Sequence, residues 1–325
     1  MDFDPEELRG LLRGRVLLLC HHNADPDSVC SAYAVQELAL ALDPSVDARI
    51  FLPGGASSLS RRIMDEIGIA ASEDAHVAGS DALVVLDTAT LSQLEEWGDT
   101  VASAEAAKVF IDHHAPHPEI SSIASIQLVD EDASSTCEIV YRLYEAYDIA
   151  PRPGVAKALL AGIVFDSRHF SFGTARTFEI TTKLLQNDGP LEQIFTMLAS
   201  ERGRSESIAR LKAAQRMQIH QFGGWTLVTS NVSSYQASAA RALIGLGADV
   251  AFVVGRDKGV LRASIRATDR FYAETSVHLG RDVAMPLGEE FGGAGSGHTT
   301  AAGLNGKGST RAMTQRAIEL ISDNL

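Results

Sequence analysis

Short apolar runs that stop at acidic or histidine-bearing turns recur along the chain. Leu17-Leu18-Leu19-Cys20 runs into His21-His22-Asn23-Ala24-Asp25-Pro26-Asp27, Leu83-Val84-Val85-Leu86 into Asp87, Val109-Phe110-Ile111 into Asp112-His113-His114, and Gly162-Ile163-Val164-Phe165 into Asp166. Runs of this length bounded by turn signals read as buried strands, and longer alanine-rich or periodic stretches as helices. The pattern predicts strands over 15–20, 46–52, 82–86 and 108–111, and helices over 28–42, 57–67, 135–147 and 153–163. Repeated alternation of the two gives a parallel sheet covered by helices on both faces.

From 175 to about 220 the chain reads as helical, with breaks at Asn187-Asp188-Gly189-Pro190 and Glu201-Arg202-Gly203. After Gly223-Gly224 strand signals return at 225–229, 250–254 and 261–265, with helices over 234–246 and 310–321. The expected class is therefore α/β. A parallel-sheet domain over 1–187 leads through a helical connector over 188–222 to a smaller α/β domain over 223–325.

A length of 325 residues exceeds one ordinary core, and 45% hydrophobic content can fill two. The net charge of −14, from 42 acidic and 28 basic residues, argues against a general polyanion surface and against binding of double-stranded nucleic acid. Any anionic substrate must meet a local site. Cys20, Cys30 and Cys137 form neither a CxxC nor a disulfide framework, which points to a reducing compartment. The start, Met1 to Glu7, is acidic where a signal peptide is basic, and no apolar stretch approaches the roughly 20 residues of a membrane span. The expectation is a cytoplasmic protein with no membrane association.

A lone Asp after a strand commonly caps the next helix, but four acid-bearing segments ending buried runs point to one site at the sheet's C-terminal edge. His21, Asp25 and Asp27 occupy a turn that lets all three face one space. Carboxylates with a few imidazoles suit Mn2+, Mg2+ or Fe2+ better than structural zinc. Asp87 could bridge two ions roughly 3.5–4 Å apart, and the four aspartates Asp25, Asp27, Asp87 and Asp166 balance two divalent ions. Ser135-Thr136-Cys137-Glu138 has the capping-box pattern and stands either for a helix start alone or for a role beside the site. His169 is a candidate substrate contact, whereas Asp74, His76, His117 and His278 read as surface residues. The glycine-rich 292–303 segment around His298 could bring backbone N–H groups close to an anion, and Arg266 could pair with a phosphate or carboxylate.

At these residues the chain resembles the DHH phosphoesterase family, whose name-giving motif stands here as Asp112-His113-His114. His21 to Ser28 is similar to the family's first motif, and its continuation through Ala32 to manganese-dependent family II inorganic pyrophosphatases. Leu86-Asp87-Thr88 and Gly162 to Ser167 resemble the second and fourth motifs. Ala263-Ser264-Ile265-Arg266 and Gly292 to Gly303 resemble the DHH-associated substrate domain, so the resemblance spans nearly the whole chain. Ala24 stands where a proline is common, Ser167 where a threonine is frequent, and the glycine loop is less compact than in many members.

The resemblance implies one ion held by His21, Asp25 and Asp87 and a second by Asp27, Asp87, His113 and Asp166. Mn2+ is the first choice and Mg2+ the alternative. Asp112 would orient His114 or the metal shell, and His114 would contact the scissile phosphate. Ser264, Arg266, Gly293, Gly295, Gly297 and His298 would bind the rest of the substrate. The implied activity is metal-hydroxide hydrolysis of small nucleotides or short oligonucleotides, of the nanoRNase or 3′-phosphoadenosine 5′-phosphate phosphatase type. Pyrophosphate or polyphosphate hydrolysis and a non-catalytic nucleotide sensor are the alternatives, and homodimerisation stays open.

Overall fold

The structure is a computed structural model that describes residues 3–115, 117–188, 191–199 and 203–325. It divides into two compact units, Met1–Ser200 and Glu201–Leu325. The first holds a wholly parallel five-stranded sheet of β1 (Arg15–Leu19), β2 (Asp47–Phe51), β3 (Ala82–Leu86), β4 (Ala107–Asp112) and β5 (Ile126–Val129), ordered β2-β1-β3-β4-β5. Successive side chains alternate between two cores, as the period of two requires. Val16, Leu18, Val84 and Leu86 join the core under the helices Pro26–Leu42, Thr136–Ala146 and Pro153–Asp166. Leu17, Leu19, Leu83, Val85 and Phe110 face the other core, with Leu94, Val101 and Ile120. Each fully buried leucine contributes about 1.5–3 kcal/mol of transfer free energy, so the sheet is a rigid platform.

After β1 the chain moves outward to β2, then returns across β1 to place β3 on its other side. The strand order therefore reverses between β1 and β3, the point at which open α/β sheets bind ligands at the carboxyl ends of their strands. His21–Asp27 leave β1 there, and Asp87 leaves β3.

The second unit carries a six-stranded sheet ordered β10-β11-β9-β8-β7-β6. Its strands are β6 (Gln218–Phe222), β7 (Trp225–Asn231), β8 (Val250–Asp257), β9 (Val260–Ala267), β10 (Gly295–Gly297) and β11 (Ala301–Gly306). Only β7 and β8 are parallel, joined by the helix Gln236–Gly245, and the other pairs are antiparallel.

Two expectations are corrected here. Residues 218–222 form an antiparallel strand with β7 rather than the end of a helix. The expected connector has no body of its own, because the helix Leu191–Leu198 falls within the first unit and Arg204–Gln215 within the second. Gly189, Pro190, Glu201 and Arg202 of the expected breaks lie outside the described residues. Among the described residues no helix is long and apolar enough to cross a membrane.

Candidate metal centre

The turn after β1 is fixed by backbone hydrogen bonds. Ala24 N–H donates to Gly55 O at 3.0 Å and Ala24 O accepts from Ser57 N–H at 2.9 Å. A proline at 24 would forfeit the first of these, which gives the alanine a physical reason. Asp25 then caps the helix Pro26–Leu42, accepting from Ser28 N–H at 3.1 Å. His21 Nδ1 lies 2.9 Å from His22 O, which makes it the protonated nitrogen and leaves Nε2 as a ligand atom. Asp87 holds a left-handed backbone (φ 53°) at the end of β3, a conformation Asp tolerates better than most residues. Its N–H is tied to Ile111 O of β4 at 2.9 Å.

Asp87 stands between two donor groups. Its Oδ2 is 3.7 Å from His21 Nε2, and its Oδ1 is 3.6 Å from His113 Nε2. His21 Nε2 is also 3.8 Å from Asp25 Oδ1, and His113 Nε2 is 3.1 Å from Asp166 Oδ2. Three sets of side chains have ligand atoms within 4.8 Å of one another: His21, Asp25, Asp87; Asp27, His113, Asp166; and Asp87, Asp112, His113, His114. The structure thus brings every expected metal-ligand residue into one cluster. His114 sits at its rim, half exposed, with Nδ1 2.7 Å from Asp112 Oδ1.

Asp27 reveals contributors that sequence reasoning missed. It is fully buried at the N-terminus of the helix Thr136–Ala146, and both its oxygens accept backbone bonds, from Thr136 N–H at 2.7 Å and Cys137 N–H at 3.0 Å. Thr136 Oγ1 donates to Asp87 Oδ1 at 3.1 Å. Only half of the expected capping box forms: Ser135 Oγ accepts from Glu138 N–H, but the Glu138 carboxylate accepts from Ser134 N–H instead of Ser135 N–H, and the same turn grips two of the site's aspartates. Gly162 is the residue that lets the helices close around Asp27. A Cβ there would lie 2.3 Å from Cys137 Sγ and 2.8 Å from Asp27 Oδ1. Beyond Asp166, Arg168, His169 and Phe170 form a run of positive φ (49°, 55° and 66°), and His169 stacks on Phe195 instead of joining the cluster.

The electrostatics call for a cation. Burial, with the charges of Asp27, Asp25 and Asp112, pushes the Asp87 carboxyl well above the usual range. Burial and then the Asp166 and Asp25 charges lift Asp27 to about 7 despite its two backbone donors. Burial opposes protonation of His21, but hydrogen bonds to Asp25 and the His22 carbonyl outweigh it and raise this imidazole to about 9. The Asp112 hydrogen bond raises His114 to about 9. Among the described residues, every cation within 4.0 Å of these carboxylates is a histidine. The donor chemistry fits divalent cations, which favour the charged carboxylate and the neutral imidazole at their ligands and so reverse the shifts of Asp87, Asp27 and His21.

Cys20, Cys30 and Cys137 are reduced and fully buried behind the cluster. Burial raises Cys20 to about 12 and the other two thiols well above their ordinary value. Cys137 S–H points to Asp27 O at 3.6 Å. Asp74 and His76 are exposed, and His117 and His278 each cap a short helix, in keeping with non-site roles.

In the second unit, Ser264 and Arg266 alternate along β9 and line a groove of about 1090 Å3 with the 294–298 segment. Arg266 is half buried, with Nη1 donating to Ser264 Oγ at 3.1 Å and Ile265 O at 2.8 Å. The glycine segment is not an anion nest. Gly293 N–H donates to Gly288 O and His298 N–H to Ala301 O, while Gly295 to Gly297 form strand β10. Its glycines instead admit close neighbours: a Cβ at Gly295 would lie 1.8 Å from Ala284 O, and one at Gly293 2.3 Å from Asn305 O. Gly293 does not line the groove, whereas the exposed His298 does.

A histidine–aspartate cluster at the switch point of a parallel sheet, followed by a second α/β unit, defines a metal-site architecture of a known kind. Residues 15–163 match the N-terminal domain of the DHH family. Over 300 residues the chain is 37% identical to an uncharacterized protein of Methanocaldococcus jannaschii, spanning 92% of this chain and 89% of that one. The chain belongs to the DHH family, whose members are metal-dependent phosphoesterases. It is also 28% identical over 185 residues to the cyclic-di-AMP phosphodiesterase PdeA of Listeria monocytogenes, a match covering 52% of this chain and 27% of that relative. In fold it is similar to the crystal structure of an exopolyphosphatase-related protein from Bacteroides fragilis, with a TM-score of 0.63, 16% identity, and coverage of 98% of this chain and 95% of that one.

Proposed function

We propose that this DHH-family phosphoesterase hydrolyses small nucleotides or short oligonucleotides, with the first unit catalytic and the second recognising the nucleotide. The observation that carries the substrate class is the groove of about 1090 Å3 beside Ser264, Arg266 and His298. Sites of roughly 300–1,000 Å3 hold drug-sized ligands, so this one is larger than pyrophosphate needs. A cyclic dinucleotide in the name of the Listeria monocytogenes relative agrees with that class.

Two divalent cations, Mn2+ foremost, would be held by His21, Asp25 and Asp87 and by Asp27, Asp87, His113 and Asp166, and would supply Lewis-acid polarisation and activation of the nucleophile. The chain's own residues do the rest. Thr136 holds Asp27 and Asp87 in fixed orientation, which keeps the donor groups preorganised. Asp112 accepts from His114 Nδ1, so Nε2 of this half-exposed imidazole is left to donate to a phosphoryl oxygen. The Arg266 guanidinium, anchored through Nη1, offers its remaining N–H groups to a second phosphate.

The test is a panel of dinucleotides, 3′-phosphoadenosine 5′-phosphate, a cyclic dinucleotide, pyrophosphate and polyphosphate with Mn2+. The highest kcat/KM is expected on a nucleotide, with Asp87→Ala inactive and low in bound metal. Arg266→Ala should raise KM for that nucleotide, at a cost of about 1.5–3 kcal/mol. Preference for pyrophosphate or polyphosphate would overturn the substrate class, and absence of all turnover would favour a nucleotide sensor.

A further inference from the structure

The net charge of −14 conceals an asymmetry. Glu201–Leu325 carries 15 Lys and Arg against 11 Asp and Glu, whereas Met1–Ser200 carries 13 against 31. The second unit is thus basic, and the whole-chain argument against polyanions does not apply to it.

Part of that basic charge gathers at a hollow of about 480 Å3 where the parallel strands β7 and β8 end. Lys212, Arg216 and Arg256 line it, with the hydroxyls of Ser233, Ser234 and Thr310. An adjoining hollow of about 410 Å3 shares Arg216, Asn231 and Thr310 and adds Arg311. Among the described residues no carboxylate lines either one. The Arg216 side chain donates to Asn231, and that of Arg256 to the carbonyls of Gly259 and Gly308. Among the described residues, Lys212, Arg216, Arg256 and Arg311 have no acidic partner.

The hollow and the Arg266 groove draw on the same two stretches of chain. Ser234 and Arg256 line the hollow, whereas Gln236, Asp257 and Lys258 line the groove, so Tyr235 falls in sequence between a residue of one and a residue of the other. Tyr235 is 46% exposed and held at φ 60°, an unusual backbone for an aromatic residue. On the groove side Arg262 follows Arg266 on the same face of β9, with Asp257 beside it at 3.5 Å. From Arg266 to Val260 the strand covers roughly 20 Å at its usual rise.

We infer that the second unit carries a track for single-stranded oligonucleotide, leading from the Arg266 groove past Tyr235 to the hollow of Arg216, Lys212 and Arg256. A row of cations interrupted by one exposed aromatic ring is the chemistry of single-strand binding, in which phosphates meet the charges and a base stacks on the ring. A small polyphosphate would need the hollow alone, and a duplex keeps its bases stacked away from Tyr235. The track rests on the nucleotide reading above and extends it: substrates longer than a dinucleotide gain affinity from residues that the dinucleotide does not reach.

The test is fluorescence anisotropy of a fluorescein-labelled octa-adenylate on the full chain loaded with Ca2+ to halt turnover, alongside kcat/KM for diadenylate with Mn2+. The octamer should bind at least about ten-fold tighter than the dimer. Lys212→Ala/Arg216→Ala should weaken the octamer about five-fold or more and lower its salt slope by about 1.4, about 0.7 per lost phosphate contact. Tyr235→Asn, which keeps the left-handed backbone accessible, should weaken it similarly, and Tyr235→Phe should not. Diadenylate hydrolysis should be unchanged in all three. Octamer affinity indifferent to these variants would overturn the track. So would equal binding of a duplex, or displacement by tripolyphosphate whose own affinity depends on Lys212 and Arg216 but not on Tyr235. If diadenylate is not hydrolysed while octamer binding follows the variants, the substrate reading fails and the track stands.

Discussion

Replacing Thr136 by valine tests how the centre is held. The substitution keeps the β-branched shape and the backbone N–H that donates to Asp27, and removes only the hydroxyl that donates to Asp87 Oδ1 at 3.1 Å. Thr136 is fully buried, so water cannot replace that donor. A hydrogen bond to a charged acceptor contributes about 1.5–3 kcal/mol, which at about 1.4 kcal/mol per decade corresponds to roughly 10–150-fold. Outer partners of metal ligands commonly cost 10–100-fold in affinity or activity when removed, the same range. Because Asp87 faces both donor groups, the loss should fall on apparent Mn2+ affinity and kcat, while KM for substrate stays nearly constant. The assay is a Mn2+ titration of steady-state activity, paired with calorimetric metal binding. Thr136→Ser should recover most of the activity. A valine variant with unchanged metal affinity and kcat would refute the idea that this hydroxyl positions Asp87.

Gly162→Ala should be disproportionately harmful for one methyl group. Its Cβ would meet Cys137 Sγ and Asp27 Oδ1, so a stability loss of about 1–3 kcal/mol and reduced metal content are expected by denaturant melts and elemental analysis, with partial relief in Gly162→Ala/Cys137→Ala. The raised Asp27 pKa sets a pH dependence. In the metal-free fold Asp27 keeps its proton to about 7, whereas the unfolded chain loses it near 3.8, so the native state binds more protons between these values and its stability falls as pH rises through them. Chelated protein should show that slope in thermal melts and the Mn2+-loaded protein should not. Mn2+ binding at pH 6 should release protons, seen as a buffer-dependent calorimetric enthalpy.

Much of the first unit was legible because its inner strands are short and buried on both faces, so β1, β3 and β4 appear as unbroken apolar runs. The ligand positions after β1, β3 and β4 follow from the same signal, since each run ends where its acidic residue begins, whereas the run before Asp166 is the last turn of the helix Pro153–Asp166. Thr136 and Cys137 were not legible as anchors of Asp27, because the donors are backbone amides and carry no residue identity. β6 escaped notice because Gln218-Ile219-His220-Gln221-Phe222 is a mostly exposed edge strand with little hydrophobic contrast. β10 and β11 escaped because their glycines are selected by close backbone packing instead of strand propensity. Whole-chain net charge misled for a different reason, averaging an acidic unit with a basic one.

The three thiols behind the carboxylates give the first unit an internal clock. Cys20, Cys30 and Cys137 are sealed from solvent and held in the unreactive thiol form, so an alkylating reagent can reach them only when the surrounding helices part. Their labelling rate therefore counts opening events of that core, and it can be followed on the unmodified chain. Any ion that clamps His21, Asp25, Asp27 and Asp87 together should slow the clock, which gives a readout of occupancy independent of any substrate.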